Sequence, residues 1–351
     1  MMLAAVFHGA GDIRIEQLPI PEPGAGQVAL APAHNGLCGS DLHEYQMGPL
    51  VIPTDPHPLT GAQLPVIMGH EFSGTITAVG DGVTDLRIGD RVAVEPLYHC
   101  GTCRPCTSGA YNVCNRIAFH GLMANGGGMS ETTVVDATMV HRLPDTVTLE
   151  QGALVEPMAV AHHAVRQAGI AEGEPAVVLG AGPIGIGAWF ALRAAGAGPI
   201  IVVEPSPTRR AAIESLGADI VLDPATADPN AEMRSLTAGE GAAVAIDAAG
   251  VPASAMASLA VLRPRGHAVS VAVHGAPVEF DPNILMSEIT WTGALAYTSE
   301  DFTAVIEAMS HGSYATEGWV EHLSLDEVST ALDRLVKAEA IKILIDVAPD
   351  R

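Results

Sequence analysis

The stretch PAVVLGAGPIGIGAWFALRAAG, residues 175–196, joins a short apolar run to three closely spaced glycines and a helix-compatible segment. The run Pro175–Leu179 has the length of a buried strand, and Gly180, Gly182 and Gly185 follow it as G-x-G-x-x-G. This spacing permits a tight turn, a close approach of backbone to a pyrophosphate, and close packing of the helix on the strand. The stretch therefore predicts the first strand, turn and helix of a dinucleotide-binding domain.

An acidic residue follows at the position expected of a ribose ligand. Glu204 ends the next strand-like run, PIIVVE, nineteen residues after Gly185. A carboxylate there accepts hydrogen bonds from the ribose hydroxyls of NAD and repels a 2′-phosphate, although a solvated strand-end glutamate is the alternative. Arginines near such a pocket can accept NADP, and we interpret Arg209 and Arg210 as exposed positions early in a helix. The candidate cofactor contacts are Gly180, Gly182, Pro183, Ile184, Gly185, Glu204 and Arg209.

Strand-like and helix-like segments continue to alternate after residue 204, which predicts an α/β domain with a doubly wound parallel sheet. Residues before about 150 contain short strand-like runs between glycine and proline turns, for example GQVALA and DRVAVE, and predict a β-rich domain. At the other end, AIKILIDVA is a closing strand expected to return to that first domain. We predict a first domain at 1–150, a nucleotide domain at 151–295, and a returning segment at 296–351.

Four of the five cysteines lie in one short segment, HCGTCRPCTSGAYNVC, with the spacing C-x2-C-x2-C-x7-C. Four thiolates so spaced can surround one tetrahedral Zn²⁺ and leave no open position, which is typical of a structural zinc. Two disulfides are the alternative, but no secretory signal is recognisable, and a reducing compartment favours metal. The segment has few apolar side chains, so metal would supply its stability. The predicted ligands are Cys100, Cys103, Cys106 and Cys114.

The fifth cysteine, Cys38, has zinc-ligand types near it in sequence, because His70 and Glu71 follow in MGHEFSG. A catalytic zinc takes three protein ligands and keeps one position for water or substrate. Glu156, in the apolar stretch LVEPMAV, is the best candidate for a third ligand, since an unpaired carboxylate there would be costly. Each residue also has an ordinary interpretation: a buried thiol, a core histidine, and a charge at the start of a helix on Pro157.

Composition excludes several classes of protein. The 351 residues are 48% hydrophobic, and 40 acidic residues against 17 basic ones give a formal net charge of −23, which would repel a phosphate backbone. The N-terminus lacks the basic start of a secretory signal, and the uncharged run Ala176–Leu192 is shorter than the ~20 residues of a spanning helix. We expect a cytoplasmic protein that binds neither nucleic acid nor membranes.

The motifs CGSDLH, GHEFSG, the four-cysteine segment, EPMAV and GAGPIG occur in the order found in one enzyme family. Over nearly its whole length the chain resembles the zinc-dependent medium-chain alcohol and polyol dehydrogenases. Within them it is most similar to the (R,R)-2,3-butanediol dehydrogenases, with sorbitol and threonine dehydrogenases as neighbours. The resemblance implies a GroES-like catalytic domain, a Rossmann domain, an active site in the cleft between them, and a homodimer or homotetramer.

The resemblance also implies roles for individual residues. Cys38, His70 and Glu156 would bind the catalytic zinc, and Glu71 would exchange onto it or support it. Ser40 would take the alcohol proton, His43 would pass it to solvent, and Asp41 would orient His70. Without the resemblance, Ser40 and Asp41 read as turn residues and His43 as a surface histidine. Many family members carry a basic residue directly after the zinc cysteine, and this chain has Gly39 instead.

The predicted activity is hydride transfer between NAD and a secondary alcohol, a vicinal diol such as 2,3-butanediol, with one catalytic and one structural Zn²⁺. Sorbitol or another polyol, or L-threonine, is the alternative substrate. Two further hypotheses remain open from the residues: a metal-free reductase of the same fold, and a non-catalytic protein that binds zinc and nucleotide. Metal content distinguishes the first, and alcohol-dependent NADH formation distinguishes the second.

Overall fold

The computed structural model describes residues 1–347 as two compact units. The first unit contains Met1–Glu156, Thr298–Ser310 and the described residues from Trp319 onward, and the second contains Pro157–Tyr297 and His311–Gly318. Among the described residues, no helix has both the length and the apolar character needed to cross a lipid bilayer.

The strands are short in the first unit and regularly interleaved with helices in the second. In chain order they are β1 (Met2–Gly9), β2 (Asp12–Leu18), β3 (Gln27–Gly36), β4 (Val66–Ile67), β5 (Glu71–Val79), β6 (Arg91–Val94), β7 (Leu97–Tyr98), β8 (Ala118–Phe119), β9 (Thr133–Asp136), β10 (Val140–Arg142), β11 (Ala176–Leu179), β12 (Ile200–Val203), β13 (Ile220–Leu222), β14 (Ala242–Asp247), β15 (Leu262–Ser270), β16 (Thr290–Gly293), β17 (Val320–Ser324) and β18 (Lys342–Asp346). The helices are α1 (Gly39–Met47), α2 (Arg104–Thr107), α3 (Leu149–Ala168), α4 (Pro183–Ala194), α5 (Pro207–Ser215), α6 (Pro229–Leu236), α7 (Pro252–Ala260), α8 (Ser299–Ser310) and α9 (Val328–Val336).

The first unit is built around one mainly antiparallel sheet. Its strands lie in the order β10-β6-β5-β3-β18-β17, and β9 also pairs with β3. The closing strand β18 pairs with β3, as the sequence predicted for this segment, and β17 runs parallel to β18. Helix α9 packs Val328, Ala331 and Leu332 against Ile343 and Ile345 of β18, and all five side chains are buried. This packing holds the end of the described chain against β3.

The second unit confirms the predicted doubly wound parallel sheet. Its strand order is β13-β12-β11-β14-β15-β16, and every neighbouring pair is parallel. Strands β11 and β12 read as uninterrupted apolar runs because helices cover both faces of such a sheet. The order reverses between β11 and β14, and ligands of doubly wound sheets bind at the carboxyl ends of the strands at this point.

The turn between β11 and α4 depends on close backbone approach. A Cβ atom on Gly185 would overlap the carbonyl oxygen of Gly180, whereas a Cβ on Gly182 would meet only Arg209 Nη1, at 4.0 Å. The two glycines of the same turn therefore tolerate a methyl group very differently.

We expect Gly185→Ala to lower the free energy of unfolding by about 1–3 kcal/mol, because the helix must shift away from β11. Gly182→Ala is the matched control and should change it by less than about 1 kcal/mol, the scale of an N-cap substitution. Thermal and urea unfolding of both variants without cofactor would measure the difference. Equal stability of the two variants would contradict the packing described for Gly185.

Candidate functional site

The segment after β3 turns directly into α1, and Cys38 is the residue at this junction. Cys38 caps the helix, and its backbone N–H donates to Asp41 Oδ2 at 2.9 Å, within the first turn. Asp41 is fully buried and Cys38 is half-buried. Ser40 and Asp41 are helical, so the interpretation of both as turn residues is wrong. The helix fixes the direction in which these side chains leave the backbone.

Strand β5 brings His70 and Glu71 to the same place. Its antiparallel register with β3 sets Glu71 opposite Gly36, two residues before Cys38. One possible ligand atom each from Cys38, His70 and Glu71 lies within 4.8 Å of the others. The three side chains thus form a cluster of sulfur, nitrogen and oxygen donors, the mixed set that catalytic zinc sites use.

His70 is held between α1 side chains. Ser40 Oγ lies 3.3 Å from His70 Nε2, and Asp41 Oδ1 lies 3.6 Å from Nδ1, which is an ion-pair distance rather than a hydrogen bond. Burial disfavours the charged imidazole, but Asp41 and Cys38 together raise the pKa of His70 well above its usual value. Burial also raises the pKa of Asp41, and His70 partly offsets it.

A lysine that the sequence analysis did not single out completes this region. Lys342 of β18 is buried and forms an ion pair with Glu71, which is equally buried. Its Nζ also donates to the carbonyl oxygen of Leu37 at 2.9 Å. The sequence offered a signal, since Lys342 is one of two lysines in the chain and precedes the apolar run Ile343–Ile345 in the strand KILID. The ion pair neutralises the Glu71 carboxylate inside the cluster.

The remaining residues assigned to this site differ in burial. Glu156 is buried within α3, and its charge contributes to the raised pKa of His70. Pro157 lies inside α3, so the alternative that Glu156 marks the start of a helix is wrong. His43 is exposed on α1, three residues after Ser40, and residues three apart lie on one side of a helix.

The four cysteines of the 100–114 segment converge. Sγ–Sγ distances are 3.4 Å for Cys103–Cys106, 3.8 Å for Cys103–Cys114 and 4.0 Å for Cys100–Cys106. Tetrahedral zinc with Zn–S bonds of about 2.3 Å requires sulfurs about 3.8 Å apart, so the spacing fits. All five cysteines are free, which removes the disulfide alternative.

Backbone donors favour the thiolate form at Cys100 and Cys103, whereas burial and the neighbouring cysteines raise the pKa of Cys106 to about 12. Cys114 Sγ accepts from the N–H groups of Cys100 and Arg116, both at 3.3 Å. Hydrogen bonds from Thr102 and Cys103 lower the pKa of Cys100 to about 5. Thiolates are the form of cysteine that binds metal, so the donors suit a zinc site as well as the distances do.

The glycine-rich turn faces a cavity in the second unit. Gly180 has φ +99°, which suits a residue without a side chain. Pro183 and Ile184 are the first two residues of α4, so the turn leads into the helix N-terminus as predicted. Gly180, Gly182, Glu204 and Arg209 all line the cavity. Four of the seven predicted cofactor residues therefore line one cavity.

Glu204 is buried and its carboxylate is oriented by the backbone. Oε2 accepts from the N–H of Ala181 at 2.7 Å, and Oε1 accepts from the N–H of Ser206 at 2.8 Å. The prediction that Arg209 and Arg210 are exposed is wrong, because both are half-buried. Arg210 forms an ion pair with Asp223 and donates to the carbonyl oxygen of Glu204. Its guanidinium group is therefore already paired with protein groups.

Comparison with known proteins identifies the family. The alcohol dehydrogenase GroES-like domain matches residues 24–145, and the zinc-binding dehydrogenase domain matches residues 183–311. The (R,R)-butanediol dehydrogenase of Bacillus subtilis (strain 168) is 41% identical, over 98% of this chain and 99% of its own. That of Neisseria gonorrhoeae is 38% identical, over 98% and 99%.

Solved structures agree with the sequence comparison. The crystal structure of 2R,3R-butanediol dehydrogenase from Bacillus subtilis has a TM-score of 0.93 and 40% identity, covering 99% of this chain and 100% of its own. A dehydrogenase from Sinorhizobium meliloti, solved with NADP, has a TM-score of 0.89 and 27% identity, covering 99% of each chain. An alcohol dehydrogenase from Escherichia coli, solved with NADH, has a TM-score of 0.87, 27% identity and the same coverage. The chain therefore belongs to the zinc-binding alcohol dehydrogenases, a family of medium-chain oxidoreductases with a GroES-like and a Rossmann-type domain.

Proposed function

We propose that this enzyme transfers hydride between NAD and a secondary alcohol, and that its substrate is a vicinal diol of the 2,3-butanediol type. The observation that carries the proposal is the cluster of Cys38, His70 and Glu71, in a chain similar to butanediol dehydrogenases over 98% of its length. Oxidation yields a hydroxyketone, and reduction of that hydroxyketone returns the diol.

The proposed catalytic metal ligands are Cys38 and His70, with Glu156 or Glu71 as the third. A zinc ion bound there would act as a Lewis acid that lowers the pKa of an alcohol hydroxyl. The ion pair with Lys342 stabilises Glu71 as a carboxylate without a metal, which favours Glu156 as the resting ligand. Asp41 opposite Nδ1 would leave Nε2 of His70 free to bind the metal. A second, structural zinc would be held by the four clustered cysteines.

Ser40 and His43 are proposed to move the alcohol proton. Ser40 Oγ lies beside His70 Nε2, where a hydroxyl can accept a proton from the substrate and donate its own. His43 is on the same side of α1 and is exposed, so it can exchange that proton with water. A nicotinamide ring bound nearby would accept the hydride from the carbinol carbon, separately from the proton.

The proposed cofactor is NAD, bound by the glycine turn and Glu204. The carboxylate lines the cavity and keeps acceptor capacity beyond its two backbone bonds, so it can bond ribose hydroxyls and repel a 2′-phosphate. Arg209 lines the same cavity, and its positive charge favours NADP because it attracts the 2′-phosphate. Glu204 is the more buried of the two, and burial strengthens its electrostatic effect on a bound phosphate.

We also propose a homodimer or homotetramer in the cytoplasm. Strand β16 is the edge of the parallel sheet, and the backbone groups of an edge strand can pair with a second copy. Free cysteines in a metal-binding arrangement suit a reducing compartment. A monomer by light scattering would contradict the oligomer.

A substrate panel tests the proposed function. The purified enzyme should give its highest kcat/KM with one stereoisomer of 2,3-butanediol, because a diol can place one hydroxyl at the metal and the second on a polar group. NADH absorbance should be followed with butanediol stereoisomers, sorbitol, L-threonine and simple secondary alcohols. A preference for sorbitol or threonine would make that compound the substrate in place of the diol. If the enzyme oxidised no alcohol, the non-catalytic alternative would be supported.

The same panel, repeated with NADP, tests the cofactor. We expect kcat/KM with NAD to exceed that with NADP by at least about tenfold, which corresponds to about 1.4 kcal/mol. Glu204→Gln should reduce this ratio, and Arg209→Gln should raise it. A higher value with NADP in the parent enzyme would show that Arg209 outweighs Glu204.

Substitution of two cysteines distinguishes the proposed zinc sites. Cys38→Ser should lower turnover by about two orders of magnitude or more and leave the melting temperature nearly unchanged, because the fold around it has its own core. Cys103→Ser should lower the melting temperature first, because metal binding is coupled to order in a segment with few apolar side chains. Metal analysis should give about two zinc per chain in the parent and about one in each variant.

Any of three outcomes would contradict these assignments. Near-normal turnover of Cys38→Ser with one zinc fewer would remove the catalytic zinc from that cluster. A Cys103→Ser variant that melts like the parent with both zinc ions bound would remove the structural role. Zinc absent from the parent enzyme would support the metal-free reductase.

The proton path predicts a pH-dependent effect of His43. His43→Ala should slow alcohol oxidation by about tenfold at pH 7 and much less at pH 9, where hydroxide can take the proton directly. His311→Ala removes another exposed histidine and is the matched control. Turnover of His43→Ala equal to that of the control at pH 7 would return His43 to an ordinary surface residue.

A further inference from the structure

A second group of metal-ligand side chains lies on the sheet of the first unit, apart from the clusters already described. His34 of β3 and Asp346 of β18 are directly opposite each other in the antiparallel pair. His322 of β17 is opposite Leu344, two residues before Asp346. Because side chains alternate along a strand, these three residues share one face of the sheet. We call this group the His34–His322–Asp346 cluster.

The two imidazole rings converge on one carboxylate oxygen. His34 Nδ1 and His322 Nδ1 each lie 2.8 Å from Asp346 Oδ1. The rings meet edge to face, with centroids 5.4 Å apart. His322 and Asp346 are 34% and 27% exposed, so the cluster can be reached from solvent. Two donors on one oxygen, close to water, make a compact three-ligand arrangement on rigid neighbouring strands.

The ring of His322 lies between two carboxylates, Asp346 and Glu150, whose negative charges favour a positive charge between them. Glu150 Oε1 lies 4.0 Å from Nε2, on the side of the ring away from Asp346. A metal ion bound to Nδ1 would leave the ring hydrogen on Nε2, the nitrogen that lies on the side of Glu150. Without a metal, Nδ1–H can donate to Asp346 Oδ1 at 2.8 Å, and a metal ion would take the place of that proton. Metal-bound histidines commonly have such a carboxylate behind the ring.

The donor set and spacing indicate which metal would fit. Two imidazoles and one carboxylate suit late transition metals, whereas Ca²⁺ and Mg²⁺ prefer oxygen ligands. Bonds of about 2.0–2.1 Å place neighbouring ligands roughly 2.9 Å apart at right angles, and about 3.4 Å apart in a tetrahedron. The observed 2.8 Å separations are hydrogen-bond distances, and each is short enough for the two atoms to bind one ion.

We propose that His34, His322 and Asp346 form a third metal site, for a late transition-metal ion, with Glu150 as the positioning residue for His322. The site is independent of the proposed catalysis, because none of its residues belongs to the catalytic or cofactor clusters. A bound ion would connect β3, β18 and β17. It would therefore link the end of the described chain to an early strand.

Metal uptake by the tag-free, zinc-loaded enzyme tests the site. After dialysis against Ni²⁺ we expect about one extra ion per chain and a higher melting temperature. Cu²⁺ in place of Ni²⁺ should give a tetragonal electron paramagnetic resonance spectrum with splitting from two nitrogen ligands. His322→Ala and Asp346→Asn should lose the extra ion and keep alcohol oxidation, while His311→Ala should behave as the parent does.

Two results would overturn the proposal. If the parent takes up no Ni²⁺ beyond its zinc, the cluster is held by protons and hydrogen bonds alone. If His322→Ala and Asp346→Asn retain the extra ion, the ion binds elsewhere. Glu150→Gln separates positioning from ligation: it should weaken Ni²⁺ uptake without changing the number of nitrogen ligands seen with Cu²⁺. Loss of a nitrogen ligand in that variant would contradict the role given to Glu150.

Discussion

The antiparallel pairing of β3 with β5 is the constraint on which the candidate catalytic cluster depends. The register that sets Gly36 opposite Glu71 brings the start of α1 beside the start of β5. A slip of one residue would turn Glu71 to the other face of the sheet and separate it from Cys38. Buried apolar side chains on both strands, including Leu30, Phe72 and Ile76, make such a slip costly. The hydrophobic core thus fixes the geometry of the polar site.

The ion pair between Glu71 and Lys342 adds β18 to this arrangement. Both side chains are almost fully buried, and removal of one charge would leave the other without compensation at a cost of about 3–5 kcal/mol. A hydrophobic pair of the same volume would often be at least as stable, so stability alone does not account for the charges. In the proposed function the charges have a role, because they hold a carboxylate beside Cys38 and His70, within 4.8 Å of their ligand atoms.

The amino-acid sequence was sufficient to predict those features whose pattern lies within a single helix, strand or turn. The strand, turn and helix around Gly180 and the closing strand β18 follow from apolar periodicity and glycine spacing, which act over a few residues. The Glu71–Lys342 pair joins residues 271 positions apart, and no local pattern connects them. Pro157 led to a wrong helix start because proline commonly begins a helix. In the structure α3 begins eight residues earlier, at Leu149, and Pro157 lies inside it.

The two zinc-ligand groups differ in how much of the chain must fold to assemble them. The four clustered cysteines lie within fifteen residues, Cys100–Cys114, so closing their loops costs little entropy and metal can order them locally. Cys38, His70 and Glu156 lie far apart in sequence and on separate elements, so the sheet and α3 must form before they meet. In the proposed function, a metal held by the local group would order its own segment. The dispersed group receives its structure from the fold, so a metal held there would not be needed for folding and could exchange ligands.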